Sequence, residues 1–208
     1  MDIIKDTKRV TTKLDNYTIR YQRLDKETGD TIMDITYRNI DDPGADPEKK
    51  PINLCTVYAL SALLDLSIED TYRLQAEYGI KRRCMMNYVP LVYEILQDNG
   101  FTPSENYNNG VFKDPKKVNM YIDIPIYEFI MSHNTGKYFL TVATKENKHR
   151  HSHCLALIDG VLCEHVFSTN EFVVKESRKK SWDLYMGNIF QKLFKDDYYV
   201  LFYAYKED

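Results

Sequence analysis

The sequence predicts an α+β fold, in which helices are followed by an antiparallel sheet. Three observations support this prediction. Apolar residues alternate with polar ones in the first forty residues, recur at helical spacing between residues 53 and 100, and alternate again from residue 138 onward. The 208 residues are 43% hydrophobic and 13% aromatic, which excludes a disordered chain and is enough to build a buried core.

The first forty residues predict a β-hairpin. Apolar and polar side chains alternate over 17–21 and again over 33–37, and Gly29 lies between these stretches at a position suited to a turn. Residues 41–51 are rich in proline and charge and have nothing to bury, which is typical of a linker. We therefore expect the hairpin to be separated from the chain that follows it.

The linker divides the chain into an N-terminal segment over 1–49 and a domain over 50–208. The domain begins with a helix that starts at Asn53 and carries Cys55 in its first turn. Its apolar stripe recurs every three or four residues and is formed by Val57, Leu60 and Leu64. Such a stripe predicts a helix that packs into the core.

Two more helices are predicted from their capping residues. Ser67 and Asp70 have the spacing of a capping box, which starts a second helix that ends near Gly79. Asn87 is a favoured N-cap residue and starts a third helix, which ends at 99–100. These three consecutive helices make up most of the helical part of the predicted fold.

The remaining chain is predicted to be mostly β-structure. Asp159-Gly160 between two apolar runs is the strongest short signal for a tight hairpin. The predicted elements begin with a loop over 102–117, a short strand over 120–124 and a helix that starts at Pro125 and ends near residue 134 or 136. They continue with strands over 138–142, 153–158 and 161–167, a helix over 182–194 and a strand over 198–205. We expect these strands to form the antiparallel sheet.

Composition argues against several classes of protein. Twenty-eight lysines and arginines against 31 aspartates and glutamates give a net charge of −3, so binding of nucleic acid through bulk positive charge is not expected. The N-terminal residues lack the apolar core of a signal peptide, and Ser61 and Asp65 interrupt the longest apolar run, so neither secretion nor membrane spanning is expected. The four cysteines form no C-x-x-C pair, which favours a reducing compartment over a disulfide scaffold or a zinc knuckle.

Cys55 is a candidate nucleophile because of its position in the first helix. The unpaired N–H groups and the positive end of the dipole at a helix N-terminus favour the thiolate, so they lower the pKa of a cysteine there. The thiolate is the form that attacks a carbonyl carbon. The alternative is a buried structural cysteine, since free cysteines are among the most buried residues in proteins.

His153 and Glu164 are predicted to lie side by side on the sheet. With Asp159-Gly160 as a two-residue turn, Leu155 faces Glu164 across the hairpin. Alternate residues share a face, so His153 and Glu164 are diagonal neighbours about 7 Å apart. A carboxylate beside an imidazole fixes its tautomer and supports its positive charge, as in catalytic triads. The alternative is an ordinary cross-strand charge pair.

Several short motifs between residues 50 and 166 carry a family resemblance. They are Asn53-Leu54-Cys55-Thr56-Val57-Tyr58-Ala59-Leu60, Tyr127-Glu128-Phe129-Ile130, Thr135-Gly136-Lys137-Tyr138 and His153-Cys154-Leu155-Ala156-Leu157-Ile158-Asp159-Gly160-Val161. This set resembles the N-x-C-x-x-x-A-L helix start, the G-x-Y strand and the G-H-x-x-A-V-x-D-G-V hairpin of phage-encoded, papain-like proteins of the bacteriocin-processing-peptidase type. The resemblance implies a papain-like fold in which Cys55 is the nucleophile, His153 is the general base and Glu164 orients the histidine.

The sequence departs from that family pattern at three places. Ser152 precedes the histidine where the family has glycine, and Glu164 stands where the family usually has Asp or Asn. Residues 49–50, about six positions before the cysteine, are lysines where papain-type enzymes have the glutamine that stabilises the oxyanion. Asn53 could take over this role together with the backbone N–H of Cys55.

The residues and the resemblance together predict a cysteine-dependent hydrolase of peptide or isopeptide amide bonds, which works through a thioacyl intermediate without a cofactor or metal. The phage resemblance implies a peptide or protein substrate, a host or virion protein as partner, and a location in the bacterial cytoplasm or the virion. One alternative is an inactive papain-like fold that serves as a virion component or binds a host factor. Another is a metal site built from His149, His151 and His153.

Overall fold

The computed structural model of the protein describes residues 7–14, 18–40, 54–108, 124–144, 153–164 and 198–207. Within these ranges the chain is a mixed α+β structure, as predicted. The strands are β1 (Thr7–Lys13), β2 (Thr18–Asp25), β3 (Thr31–Asn39), β4 (Thr102–Pro103), β5 (Ile124–Pro125), β6 (Lys137–Thr144), β7 (His153–Ile158), β8 (Val161–Glu164) and β9 (Tyr198–Lys206). The helices are α1 (Cys55–Leu64), α2 (Ile68–Arg82), α3 (Val89–Asp98), α4 (Glu105–Asn108) and α5 (Ile126–Ser132).

The described strands form one sheet. Its order is β1-β2-β3-β8-β7-β6-β9-β4, and β5 also pairs with β9. Residues 36–39 of β3 run parallel to β8, whereas the other pairs are antiparallel. The prediction of an antiparallel sheet is therefore wrong at this pair, and the sheet is mixed. A parallel pair needs a long connection, which the chain between β3 and β8 supplies.

β2 and β3 form the predicted N-terminal hairpin, and Gly29 in its turn has a φ of 75°. The buried side chains of the hairpin alternate along the strands and are Tyr21, Arg23, Met33, Ile35 and Tyr37. Through β3 the hairpin joins the strands of the following domain in one sheet. The predicted boundary near residue 49 stays a prediction, because residues 41–53 lie outside the described residues.

Ser67 caps α2, as predicted. Ser67 Oγ accepts a hydrogen bond from the Asp70 backbone N–H at 3.0 Å and donates one to the Asp70 carboxylate at 2.6 Å. The helix ends at Arg82, three residues beyond the predicted end at Gly79. It ends there because Arg83 adopts the left-handed conformation, from which its N–H reaches the carbonyl oxygens of the last turn.

The prediction that Asn87 caps α3 is wrong, because Tyr88 is the capping residue. Tyr88 has extended backbone angles, and Pro90 lies in the first turn, where the fixed φ of proline suits a helix and its missing N–H costs nothing. No side chain among the described residues accepts a hydrogen bond from the first turn of α3 in the manner of a cap. Pro90 therefore determines where α3 begins, despite the preference of asparagine for the N-cap position.

Two short elements occupy the beginning of the region predicted as a loop over 102–117. β4 pairs with β9, and α4 follows it, while residues 109–123 lie outside the described residues. Pro125 directly precedes α5, close to its predicted place in the first turn. The predicted helix over 182–194 lies outside the described residues, and β9 confirms the predicted terminal strand.

Helices cover both faces of the sheet, so the described chain has three layers. The core between the sheet and α5 includes Tyr37, Phe129, Leu140, Leu155 and Leu162. The core between the sheet and the pair α1 and α3 includes Leu60, Val92, Phe139, Cys154 and Ala156. Successive residues of β7 enter opposite cores, as the pleat requires. None of the described helices has the length and apolar character that crossing a membrane requires.

Candidate active site

The three residues of the predicted triad lie at the ends of three elements. Cys55 is the first residue of α1, His153 is the first residue of β7 and Glu164 is the last described residue of β8. α1 packs mainly against β7, and β7 pairs with β8. The N-terminus of the helix and the open end of the β7–β8 hairpin therefore meet at one edge of the fold.

The Asp159-Gly160 turn sets the register that brings His153 to Glu164. Both turn residues have positive φ angles, 49° and 75°, and Ile158 pairs with Val161 directly beside the turn. The predicted register is confirmed over the described pairs. His153 Nε2 lies 2.5 Å from Glu164 Oε1, so the prediction that these side chains are within reach of each other is also confirmed.

Tyr37 is a third member of this hydrogen-bonded group. Its hydroxyl donates to Glu164 Oε2 at 3.1 Å, and its side chain is fully buried in the core beneath β8. Each oxygen of the Glu164 carboxylate thus has a partner, which fixes the plane of the carboxylate toward His153. The alternation in β3 predicted a buried Tyr37, but nothing in the sequence predicted the parallel pairing that places it beside Glu164.

Cys55 occupies the first helical position of α1, after Leu54 as the capping residue. No side chain of the described residues caps this end, and no acidic residue lies in the first turn. The orphan N–H groups and the positive end of the helix dipole therefore act on the Cys55 sulfur without a competing anion on the helix. Thr56, the next residue, donates to the buried side chain of Gln75 at 3.4 Å, which ties this turn to α2.

The Cys55 thiol forms hydrogen bonds with two residues of β7. The largest influence on it is the hydrogen bond from Cys154, which lowers its pKa. Burial opposes this effect, and the hydrogen bond and positive charge of His153 lower the pKa further, to about 4. Cys55 is therefore a thiolate near neutral pH.

The His153 ring is held in its charged form by its neighbours. Burial is the largest single influence and lowers its pKa, but the charge of Glu164 and hydrogen bonds with Cys55 and Glu164 together raise it to about 10. Since Nε2 faces Glu164, Nδ1 is the ring nitrogen left for Cys55. At neutral pH the site therefore holds a thiolate and an imidazolium in contact.

The members of the site differ in their exposure to solvent. The His153 side chain is 33% exposed, whereas that of Glu164 is 12% exposed. Cys55 itself is half-buried. His153 and Cys55 are therefore partly open to solvent, whereas Glu164 lies deeper.

Asn53 lies outside the described residues, as do Ser152 and residues 49–50. The role of Asn53 therefore stays a prediction, whereas the N–H of Cys55 does lie at a helix start, as that prediction requires. His149 and His151 are also outside the described residues, and within the described part no three His, Cys, Asp or Glu side chains are arranged to hold a metal ion.

Two residues of the site were missed in reasoning from the sequence. Tyr37 was expected only in the hairpin core, and Cys154 only in the core behind the sheet. Cys154 is buried there, as predicted, but its thiol also contacts the Cys55 sulfur. Comparisons of the chain with models of protein families, with curated proteins and with solved structures found no match.

Proposed function

We propose that the protein is a papain-like, cysteine-dependent hydrolase of peptide or isopeptide amide bonds. The observation that carries this proposal is the alignment of Cys55, His153 and Glu164 through both nitrogens of one imidazole ring. A nucleophile, a base and a group that orients the base, in that order, are what thiol-mediated acyl transfer requires. The order in the chain, with the cysteine on a helix and the histidine on a following sheet, is also that of papain-like enzymes.

The geometry supports a two-step reaction. In the first step the Cys55 thiolate attacks the carbonyl carbon of the amide, and the imidazolium of His153 gives its proton to the departing amine. A thioacyl bond forms as the carbon–nitrogen bond breaks. In the second step His153 takes a proton from water, the resulting hydroxide attacks the thioacyl carbon, and the released Cys55 thiolate again pairs with the imidazolium.

Glu164 supports both steps without touching the substrate. Its charge stabilises the imidazolium that exists before the first step and forms again in the second. The backbone N–H of Cys55 would stabilise the negative oxygen of each tetrahedral intermediate, with Asn53 as the proposed second donor. We propose a peptide or protein substrate, no cofactor, and a phage-encoded protein that works in the bacterial host cytoplasm or in the virion.

A second candidate function is binding without turnover, as a virion component or as a ligand of a host factor. Lysines at 49–50, in place of the oxyanion glutamine of papain-type enzymes, favour this candidate. Such a protein would keep the fold, and a complex with its partner would survive replacement of Cys55 by alanine.

The two candidates are separated by incubating the protein with a mixed peptide library and identifying new termini by mass spectrometry. The comparison uses the wild type, Cys55→Ala, and Cys163→Ala, which removes a buried cysteine whose thiol contacts the Val161 carbonyl. If the protein is a hydrolase, the wild type and Cys163→Ala produce new peptide termini and Cys55→Ala produces none. New termini that persist in Cys55→Ala, or none in any sample, would reject hydrolysis of these peptides by Cys55.

A further inference from the structure

Cys154 places a second thiol against the Cys55 sulfur. It follows His153 in β7 and points to the opposite face, into the core beneath α1, where it is 3% exposed. α1 packs against β7, and Cys55 packs against the buried cluster that contains Cys154, so the two thiols interact. The two cysteines are distant in sequence and adjacent in the fold.

A buried pair of hydroxyl groups lies next to the Cys154 thiol. Thr141 pairs with Cys154 across β6 and β7, and its hydroxyl forms a hydrogen bond with the Cys154 sulfur. The hydroxyl of Tyr93 lies 3.3 Å from that of Thr141, and both side chains are fully buried. The Thr141 hydroxyl therefore lies between the Tyr93 hydroxyl and the Cys154 thiol.

We infer that Cys55 and Cys154 form a reversible disulfide when a hydroperoxide oxidises Cys55. This modification would block the nucleophile and protect it from irreversible oxidation. The inference goes beyond the proposed hydrolase function and does not require it, because it depends only on a reactive sulfur and a neighbouring thiol. It identifies Cys154 as the resolving cysteine.

The chemistry balances in two steps. The Cys55 thiolate attacks one oxygen of the hydroperoxide, the oxygen–oxygen bond breaks, and with one proton the products are a sulfenic acid at Cys55 and water or an alcohol. The sulfur loses two electrons and the peroxide gains them. The Cys154 sulfur then attacks the Cys55 sulfur, a sulfur–sulfur bond forms, and the hydroxyl leaves as water with the proton of the Cys154 thiol.

Oxidation of Cys55 makes the Cys154 thiol more reactive. The Cys55 thiolate and burial raise the pKa of Cys154 well above its usual range, so Cys154 stays a thiol while Cys55 is reduced. Conversion of Cys55 to a neutral sulfenic acid removes the negative charge beside Cys154. The Cys154 thiol then loses its proton more readily and becomes a better nucleophile.

Two other cysteines of the chain serve as controls. Cys163 is buried in the same core, but it lies on β8, where burial raises its pKa to about 11 and its thiol contacts the Val161 carbonyl at 3.6 Å. Cys84 lies just after α2, outside the sheet, and is half-buried. We expect neither to form a disulfide with Cys55.

The test treats the full-length protein with hydrogen peroxide and maps the cysteine peptides by mass spectrometry before and after dithiothreitol. In the wild type and in Cys163→Ala, we expect a peptide in which Cys55 is linked to Cys154. Labelling of Cys55 by iodoacetamide is lost with the same time course, and dithiothreitol restores it almost completely. In Cys154→Ser, Cys55 proceeds to sulfinic and sulfonic acid, which dithiothreitol does not reverse.

Other results would overturn the inference. They are oxidation of wild-type Cys55 to sulfinic acid without the linked peptide, or a linked peptide that joins Cys55 to Cys84 or Cys163. The cysteine peptides of the wild type test the inference even if Cys154→Ser fails to fold. A wild type that forms the disulfide but cleaves no peptide rejects only the hydrolase, and one that cleaves peptides without forming the disulfide rejects only the resolving role of Cys154.

Discussion

The hydroxyl of Tyr37 donates a hydrogen bond to Oε2 of Glu164 across the parallel pair of the sheet. This contact joins the N-terminal hairpin to the group that orients His153. The hairpin is therefore part of the site's support. Replacing Tyr37 should change how firmly Glu164 is held, with the rest of the site unchanged.

Tyr37→Phe should lower the free energy of unfolding by about 1–3 kcal/mol, because the change leaves a buried carboxylate oxygen without its partner. We also expect labelling of Cys55 at about pH 4 to slow a few-fold, since a less firmly held Glu164 orients His153 less well and the pKa of Cys55 rises. Urea unfolding and site-resolved labelling measure the two effects.

Tyr78→Phe is the matched control for that change. The Tyr78 hydroxyl donates to the Asp98 carboxylate at 2.6 Å on an exposed surface. Its loss should cost less than about 1 kcal/mol and leave Cys55 labelling unchanged. Equal effects of the two substitutions on labelling would contradict the role given to Tyr37.

Glu164→Gln should lower the pKa of His153, because it removes the negative charge that helps to hold the ring protonated. Glutamine keeps the shape of the side chain, so the ring should stay in place while its pKa falls from about 10 by roughly one to three pH units. The imidazolium would then lose its proton at lower pH than in the wild type. Titration of the His153 ring proton by NMR, assigned by its absence in His153→Ala, measures this value.

Glu94→Gln removes a carboxylate from a surface ion pair with Arg82 and serves as the control for charge alone. Glu94→Gln should leave the pKa of His153 unchanged. A His153 pKa that is the same in the wild type and in Glu164→Gln would show that the carboxylate does not stabilise the imidazolium.

Cys154→Ala should raise the pKa of Cys55, because the hydrogen bond from Cys154 is the largest influence that lowers it. We expect the midpoint of the labelling profile to rise from about 4 by roughly one to two pH units. Cys154→Ser keeps a donor and should lie between alanine and the wild type. Cys163→Ala should not move the midpoint, and a Cys154→Ala profile that coincides with it would reject the hydrogen bond as a cause.

The parts of the site that the sequence predicted are those set by local chemistry. The Asp159-Gly160 turn requires positive φ at both residues, and once the turn is placed the pleat determines that His153 and Glu164 share a face. The position of Cys55 at a helix start likewise follows from the apolar stripe after it. Each of these predictions depends on residues that lie close together in the sequence.

The features of the fold and the site that the sequence did not predict depend mostly on contacts between distant elements. The parallel pairing of β3 and β8 requires a connection that contains all five described helices, and no local pattern indicates which strand the hairpin joins. The contact of Cys154 with Cys55 similarly depends on where α1 crosses β7. The start of α3 was misplaced for a local reason, since Pro90 outweighs the capping preference of Asn87.

The most direct test of the account is the pH dependence of Cys55 alkylation by iodoacetamide, resolved by mass spectrometry in the wild type and in His153→Ala. A thiol of pKa about 4 is almost fully ionised at about pH 6, whereas one near the ordinary value of 9.0 is ionised in about one molecule in a thousand. The account predicts wild-type labelling that is nearly constant from about pH 6 to about pH 8 and at least about tenfold slower at the lower pH in His153→Ala. Labelling that rises about tenfold per pH unit in both proteins would contradict it.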